Sequence, residues 1–428
     1  MGKARFNFSK WWSQRTIYDR ALLYLVIFSL ALRLLWLEYP KGTLIFDEFY
    51  YVNVAKNLLG LSQVPGENGN VPYPDAEIGT DPNIEHPPLA KLLIALFMLI
   101  FGDNPYGWRL ASVFFGIASI VLIYAVVKKA SAGNERLALL SSFIFSFDNL
   151  VFVHSRIATL DIFMLTFMLL GFYYLVNEKY VYSAIAFSLS TLCKMGGVYA
   201  LLAALFYLII KLYSSGRLLR KGEIIRKEDL QKFEKLIITY GISFLFFLFI
   251  MDLIWVGYNN PFDHLAYILH YTATLTRPEG LIDIESYPWQ WLFNEVKIPY
   301  ATIESQVLED SKVVKTFPII VFTGAMNPAL IFLTIPAIAY CIHLIITKKE
   351  SFSMLIVSWF ALTYLPFYPM AIFMHRITYI FYFLPTVPAV AIATAKMFDE
   401  KMPKIVVLAY LIAILLGFAY LFPFKQAP

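Results

Sequence analysis

The sequence predicts an all-α polytopic membrane protein with about eleven transmembrane helices, and three observations predict it. Hydrophobic residues fill 59% of the 428 positions and charged residues 15%, against roughly 45–50% and 25% in a soluble domain. Apolar runs of spanning length recur along most of the chain, so residues 1–428 read as one integral membrane domain rather than a soluble domain on an anchor. Lysine and arginine are also distributed unevenly between those runs, as the positive-inside rule expects.

A helix needs about 20 apolar residues to cross the hydrocarbon core. The basic N-terminal stretch MGKARFNFSKWWSQRTIYDR leads into an apolar run too long for a signal peptide and without a small-residue cleavage site. It is therefore read as a retained first span, 17–37. Further spans are read at 105–127, 136–154, 157–176, 236–257, 318–346, 352–373, 377–396 and 404–422. The stretch 180–212 is interrupted by Cys193-Lys194-Met195-Gly196-Gly197. A charge and two glycines in mid-run suit the tip between two short spans, which brings the expected count to eleven.

With the N-terminus cytoplasmic, segments 1–20, 128–136, 177–180, 211–235, 347–350 and 396–404 lie inside. They hold about 22 of the 35 basic residues, as topology requires. Two long outer segments remain. The first, 38–104, opens with FDEFYYVNVAKNLLG, whose apolar spacing suggests an amphipathic helix along the membrane surface. A Pro/Gly/Asn-rich stretch follows, then Leu89–Phe101, too short to span and expected to be re-entrant or interfacial. The second, 258–317, is rich in aromatic and polar residues, and connections this long usually carry function or are disordered.

Composition also excludes classes. A net charge of +5 in a membrane chain does not call for nucleic acid. The two cysteines, Cys193 and Cys341, lie in apolar stretches and make neither a disulfide framework nor a thiolate site. P-loop, GxGxxG, HExxH and GxSxG patterns are missing. No motif calls for a cofactor, and a lone-histidine motif gives little support for a metal, so no metal ligand is assigned.

Charges at membrane depth are costly and tend to mark function. Arg109, Arg156, Lys194 and Arg376 each fall at the outer end of a span. Any one of them alone reads equally well as a snorkelling side chain, but four cations at one membrane level form an anion site. Arginine forks suit phosphate, and lysine adds a point charge. Asp47-Glu48 lies just past the first span, where Asp47 suits a helix cap, a base, or both. Asp161 reads as an ion-pair partner of Arg156 in preference to a catalytic group, and Asp148 and Asp252 are read as packing partners. His86, before the stiff Pro87-Pro88 pair, reads as a ligand, an acceptor contact or a satisfied surface histidine.

FDEFYY, HPPLAKLL, GWRLASVFFG, SRIATLDIFMLTF, CKMGGVYA, SYPWQW and RITYIFYFLPTVPAVAIA occur in that order over nearly the whole chain. Together they resemble the protein O-mannosyltransferases. The resemblance implies a GT-C glycosyltransferase fold and a dolichyl or polyprenyl phosphate mannose donor. It implies transfer with inversion to Ser or Thr hydroxyls of secreted or membrane proteins. By matching position, Asp47 is the implied general base and Glu48 its neighbour in substrate binding. Arg156, Lys194, Arg376 and Arg109 are the implied contacts to the donor phosphate, and His86 an implied substrate contact. The implied location is the cell membrane, or the endoplasmic reticulum membrane in a eukaryote, with the site on the extracytoplasmic side. Two departures are visible. Residues 258–317 leave no room for the MIR domain of eukaryotic members, which favours a prokaryotic type, and Met195 stands where an aromatic residue commonly follows the motif lysine. The rival readings are a related GT-C transferase with another polyprenyl-phosphate sugar or a lipid or glycan acceptor, and a secondary transporter. Transporters place substrate near the midplane between structural repeats, whereas here the charges gather at one face.

Overall fold

The computed structural model describes residues 15–66, 68–216, 226–309 and 312–422. Helix α1 (Ile17–Leu34) begins at Thr16, whose Oγ1 accepts from the Asp19 amide at 3.1 Å. Residues 38–104, expected as the first outer segment, fold as α2 (Glu48–Leu58), an irregular polar stretch and α3 (Leu89–Phe101). α2 is not laid open on a surface: Tyr51–Asn57 are all buried. Next comes α4 (Pro105–Ala130), started by an Asn104 cap and a proline in its first turn.

The run expected as one span at 136–154 is split into α5 (Glu135–Ser146) and α6 (Asn149–His154). Asp148 causes the break, because its carboxylate accepts from Val151 N at 3.1 Å and caps α6. Its other oxygen accepts from Asn327 N at 2.9 Å, tying the break to the C-terminal half. α7 (Asp161–Val176) and α8 (Tyr180–Cys193) follow, then a 3-10 turn (Met195–Gly197) and α9 (Val198–Ser214). Between them Lys194 is extended, with φ −159° and ψ 134°. The turn needs Gly197, since a Cβ there would lie 2.4 Å from the backbone carbon of Ser190.

α10 (Lys227–Met251) runs on through a π-helical turn, Asp252–Val256. The stretch expected as the second outer segment, 258–317, together with residues up to Gly324, holds α11 (Pro261–Thr274), the short α12 (Pro288–Trp291) and an antiparallel hairpin, β1 (Ile298–Glu309) with β2 (Lys312–Gly324). Its register runs from Ile298↔Gly324 to Glu309↔Lys312. The expected span at 318–346 is corrected here: residues up to Gly324 are strand, and helix starts only at Pro328. The β-branched content of KVVKTFPIIVFTG suits a pleated ladder. The chain closes with α13 (Pro328–Phe332), α14 (Thr334–Lys348), α15 (Ser351–Tyr364), α16 (Phe367–Phe373), a 3-10 segment (Ile380–Thr386), α17 (Val387–Lys401) and α18 (Lys404–Leu421).

Among the described residues, six helical runs are long and apolar enough to cross a membrane: Pro105–Ala130, Met195–Ser214, Lys227–Val256, Ser351–Phe373, Ile380–Lys401 and Lys404–Leu421. The other expected crossings are α1, the α5–α6 pair, α7, α8 and α14. α18 shows Ile405, Leu408, Leu416 and Tyr420 on its outside. In water such a surface would drive association; in a bilayer it is the solvated face. The protein is a multi-pass membrane protein, with α7 and α17 enclosed at its centre.

Candidate active site

The loop after α1 is shaped by one guanidinium. Arg109 of α4 donates through Nη1 to the carbonyls of Leu37 and Tyr39 at 2.9 and 3.1 Å, and through Nη2 to Thr43 at 3.2 Å. Its Nε and Nη2 also grip Glu48, each at 2.8 Å. Glu48 accepts further from the amides of Ile45 and Ala158, both at 2.8 Å. Both side chains are essentially inaccessible. This corrects two expectations. Glu48 has no free acceptor position for a substrate, and Arg109 has no N–H left for a phosphate. Together they form a fully bonded buried pair, the arrangement that makes buried charge tolerable.

Asp47, next to that pair, is half-buried. It occupies the cap position of α2 but in helical conformation, φ −66° and ψ −7°, and makes no cap bond. An effective cap is normally extended there, so its carboxylate is left for another use. Burial pushes its pKa up to about 7; the Lys194 cation opposes that rise and the Asp161 carboxylate adds to it.

Lys194 and Arg376 line a cavity of about 240 Å³ with Glu85, His86 and Asp161. Its remaining wall is mostly apolar, including Met164, Met195, Val198, Phe367 and Met370. Lys194 Nζ lies 2.8 Å from Asp161 Oδ1 and over the Phe381 ring at 4.8 Å. Asp161 therefore pairs with Lys194 and not, as expected, with Arg156. Arg376 is anchored by its Nη1 bond to the Thr272 carbonyl of α11, and its backbone bridges Thr276. His86 stands 6.0 Å from the Tyr51 ring. Burial, with Lys194, Lys91 and Arg376 nearby, holds its pKa well below the usual histidine value, so it is neutral at physiological pH.

Arg156 does not line this cavity. It is buried over Phe152 and Phe322 at 5.4 and 5.5 Å and donates to the Leu35 carbonyl at 2.6 Å. The four expected cations thus divide into two on the cavity, Lys194 and Arg376, and two in the frame, Arg109 and Arg156. Glu85, Phe381 and Tyr300 were not singled out from sequence. Glu85 adjoins His86 and was discoverable by that adjacency; the two aromatics carried no local signal. Among the described residues no group of three or more His, Cys, Asp or Glu side chains is placed to hold a metal ion.

Residues 85–224 match the family model described as dolichyl-phosphate-mannose-protein mannosyltransferase. A polyprenol-phosphate-mannose–protein mannosyltransferase of Corynebacterium glutamicum is 30% identical over 169 residues, 39% of this chain and 31% of that protein. The Mycobacterium tuberculosis protein of that name is 29% identical over 141 residues, 32% of this chain and 24% of its own. The matched stretches thus span about a third or less of these relatives' length. The Saccharomyces cerevisiae protein O-mannosyltransferase complex bound to the sugar donor superposes with a TM-score of 0.69 at 12% identity, over 96% of this chain and 91% of that one. ArnT from Cupriavidus metallidurans bound to undecaprenyl phosphate gives 0.56 at 13% identity, over 97% and 64%. The resemblance read from the motifs is borne out, and the chain carries the GT-C glycosyltransferase fold with the protein mannosyltransferase sequence pattern over residues 85–224.

Proposed function

We propose that this protein transfers mannose from a polyprenyl or dolichyl phosphate mannose to Ser or Thr hydroxyls of secreted or membrane proteins, on the outer membrane face and with inversion. The observation that carries the reading is a cavity lined by Lys194 and Arg376 with an otherwise largely apolar wall, with Asp47 in the field of that same Lys194. A lipid-linked sugar phosphate has this same division. Its phosphate suits Lys194 and Arg376, and its hydrocarbon suits the Met/Val/Phe wall. The names of the relatives from Corynebacterium and Mycobacterium support the donor and reaction class.

In the proposed reaction Asp47 takes the proton of the acceptor hydroxyl as its oxygen bonds to the anomeric carbon. The bond from that carbon to the phosphate oxygen breaks, and the electron pair leaves with the lipid phosphate. The charge growing on the phosphate is met by preplaced cations. A hydroxyl is a weak nucleophile near neutrality and gains from a positioned base. One displacement with no sugar–enzyme intermediate inverts the anomeric centre. Neutral His86 is proposed to contact the substrate by hydrogen bonding.

The test is incubation of the purified protein with labelled polyprenyl phosphate mannose and a Ser/Thr-rich peptide. Mannosyl peptide with inverted anomeric configuration is expected. Label passing only to lipid or glycan acceptors would replace the protein acceptor with the rival transferase reading. No transfer to any acceptor would end the proposal.

A further inference from the structure

Phe46, immediately before Asp47, has φ 51°. This left-handed region is unfavourable for a residue with a bulky side chain, and it persists only where the surroundings impose it. The imposing groups are aromatic. Tyr300 of β1 lies 4.6 Å from the Phe46 ring, and Phe381 meets it edge-on at 5.9 Å. Tyr300 is buried, and its hydroxyl is 2.8 Å from His154 Nε2. Gly324, across the hairpin, leaves it room: a Cβ there would lie 2.7 Å from the phenol ring. Phe381 is also the ring under Lys194. One continuous aromatic contact therefore runs from the second outer loop, through Phe46, to the lysine beside Asp47.

We propose that Tyr300 is a positioning residue for Asp47: its ring holds Phe46 in the left-handed conformation that denies Asp47 the helix cap and keeps it beside Lys194. The proposal rests on the transferase reading for its kinetic consequences alone. The consequence for Asp47 itself is burial. The groups facing its carboxylate are Lys194, Asp161 and the phenols of Tyr51, Tyr300 and Tyr379. Of these, Tyr300 is the one whose loss also frees the preceding residue.

The experiment compares full-length wild type with Tyr300→Leu, Tyr300→Phe and Phe46→Gly. Asp47 is labelled with a carbodiimide, which reacts with the protonated acid, across a pH series read by mass spectrometry. In parallel, kcat and donor KM are measured. Tyr300→Leu is expected to shift the labelling midpoint down by about one unit, toward the ordinary carboxylate range. Its kcat should fall roughly 10-fold with donor KM unchanged. Tyr300→Phe keeps the ring and should retain both values. Phe46→Gly removes the backbone strain, since glycine accepts positive φ. It also removes the ring packed on Tyr300 and Phe381, so its melting temperature reads the balance of the two effects, while kcat should fall as in Tyr300→Leu; it decides the matter if Tyr300→Leu fails to fold. Wild-type midpoints and kcat in Tyr300→Leu and Phe46→Gly overturn the proposal. So does a loss in Tyr300→Phe as large as in Tyr300→Leu, because the His154 bond and not the ring would then be responsible. A wild type without mannosyl transfer whose Asp47 midpoint still responds to Tyr300→Leu rejects the transferase reading and supports the clamp.

Discussion

Glu48 accepts four hydrogen bonds inside the protein, whereas Asp47 beside it makes no cap bond and is coupled to Lys194. Asp47→Asn keeps the size of the side chain and removes its basicity. A loss of kcat of about 10²-fold or more is expected, with little change in the melting temperature. Because burial raises the Asp47 pKa to about 7, the base form accumulates only above that value. The kcat of the wild type should therefore rise with pH through about 7 and then level off. Lys194→Gln removes the cation that favours the carboxylate, so the residual activity should show its midpoint at higher pH. A pH–rate series on both proteins checks the sign. The cations divide in the same way. Lys194→Gln and Arg376→Gln should each cost roughly 10²–10³-fold in rate and weaken the donor, by analogy with removing an oxyanion donor. Arg376→Lys should recover part of that if the guanidinium binds two oxygens. Arg109→Gln instead leaves Glu48 buried without its partner, a loss of roughly 3–5 kcal/mol. Its signature is a lower melting temperature, with unchanged donor KM in the fraction that folds.

At the scale of elements, the site depends on two interruptions of apolar helix. One is the Asp148 break that ends α5 and starts α6, which leads the chain to His154, Arg156 and Ala158. The other is the extended residue Lys194 between α8 and the glycine turn, which points an ammonium at Asp161 where a continuous helix would have carried it elsewhere. Gly197→Ala tests this second device. The added Cβ meets backbone at Ser190, not the yielding end of a side chain. Overpacking of this kind costs about 1–3 kcal/mol. A lower melting temperature together with a raised donor KM is expected, since the turn that must yield is the one carrying Lys194. A fall in melting temperature with unaltered donor KM would separate the turn from the cavity.

For the whole molecule, the proposed orientation places the 211–235 segment inside and 258–317 outside. Single cysteines at Ser215 and Glu279, both exposed, should label from opposite sides of the membrane once Cys193 and Cys341 are replaced. Labelling from the same side would overturn the odd number of crossings between them. The two native cysteines are buried, so their replacement by alanine leaves small cavities and calls for an activity control.

What the sequence by itself determined is what depends on local composition. Membrane residence, most helical runs, the break at Cys193–Gly197 and the order of the family motifs were all legible, because hydrocarbon thickness and helix rise act on contiguous residues. The hairpin strand at 312–324 was not: its apolar residues read as the start of a span, and only the partner strand 298–309 satisfies its backbone in another way. The polar residues show the limit most clearly. Arg109, Arg156, Lys194 and Arg376 look alike in sequence, each at the end of an apolar run. Only the tertiary structure decided that Arg109 meets Glu48, 61 positions away, while Lys194 and Arg376 meet a cavity. A buried charge takes its role from whichever opposite charge, carbonyl or ring the fold brings within a few ångströms, and that partner is set by topology rather than by neighbours in the chain.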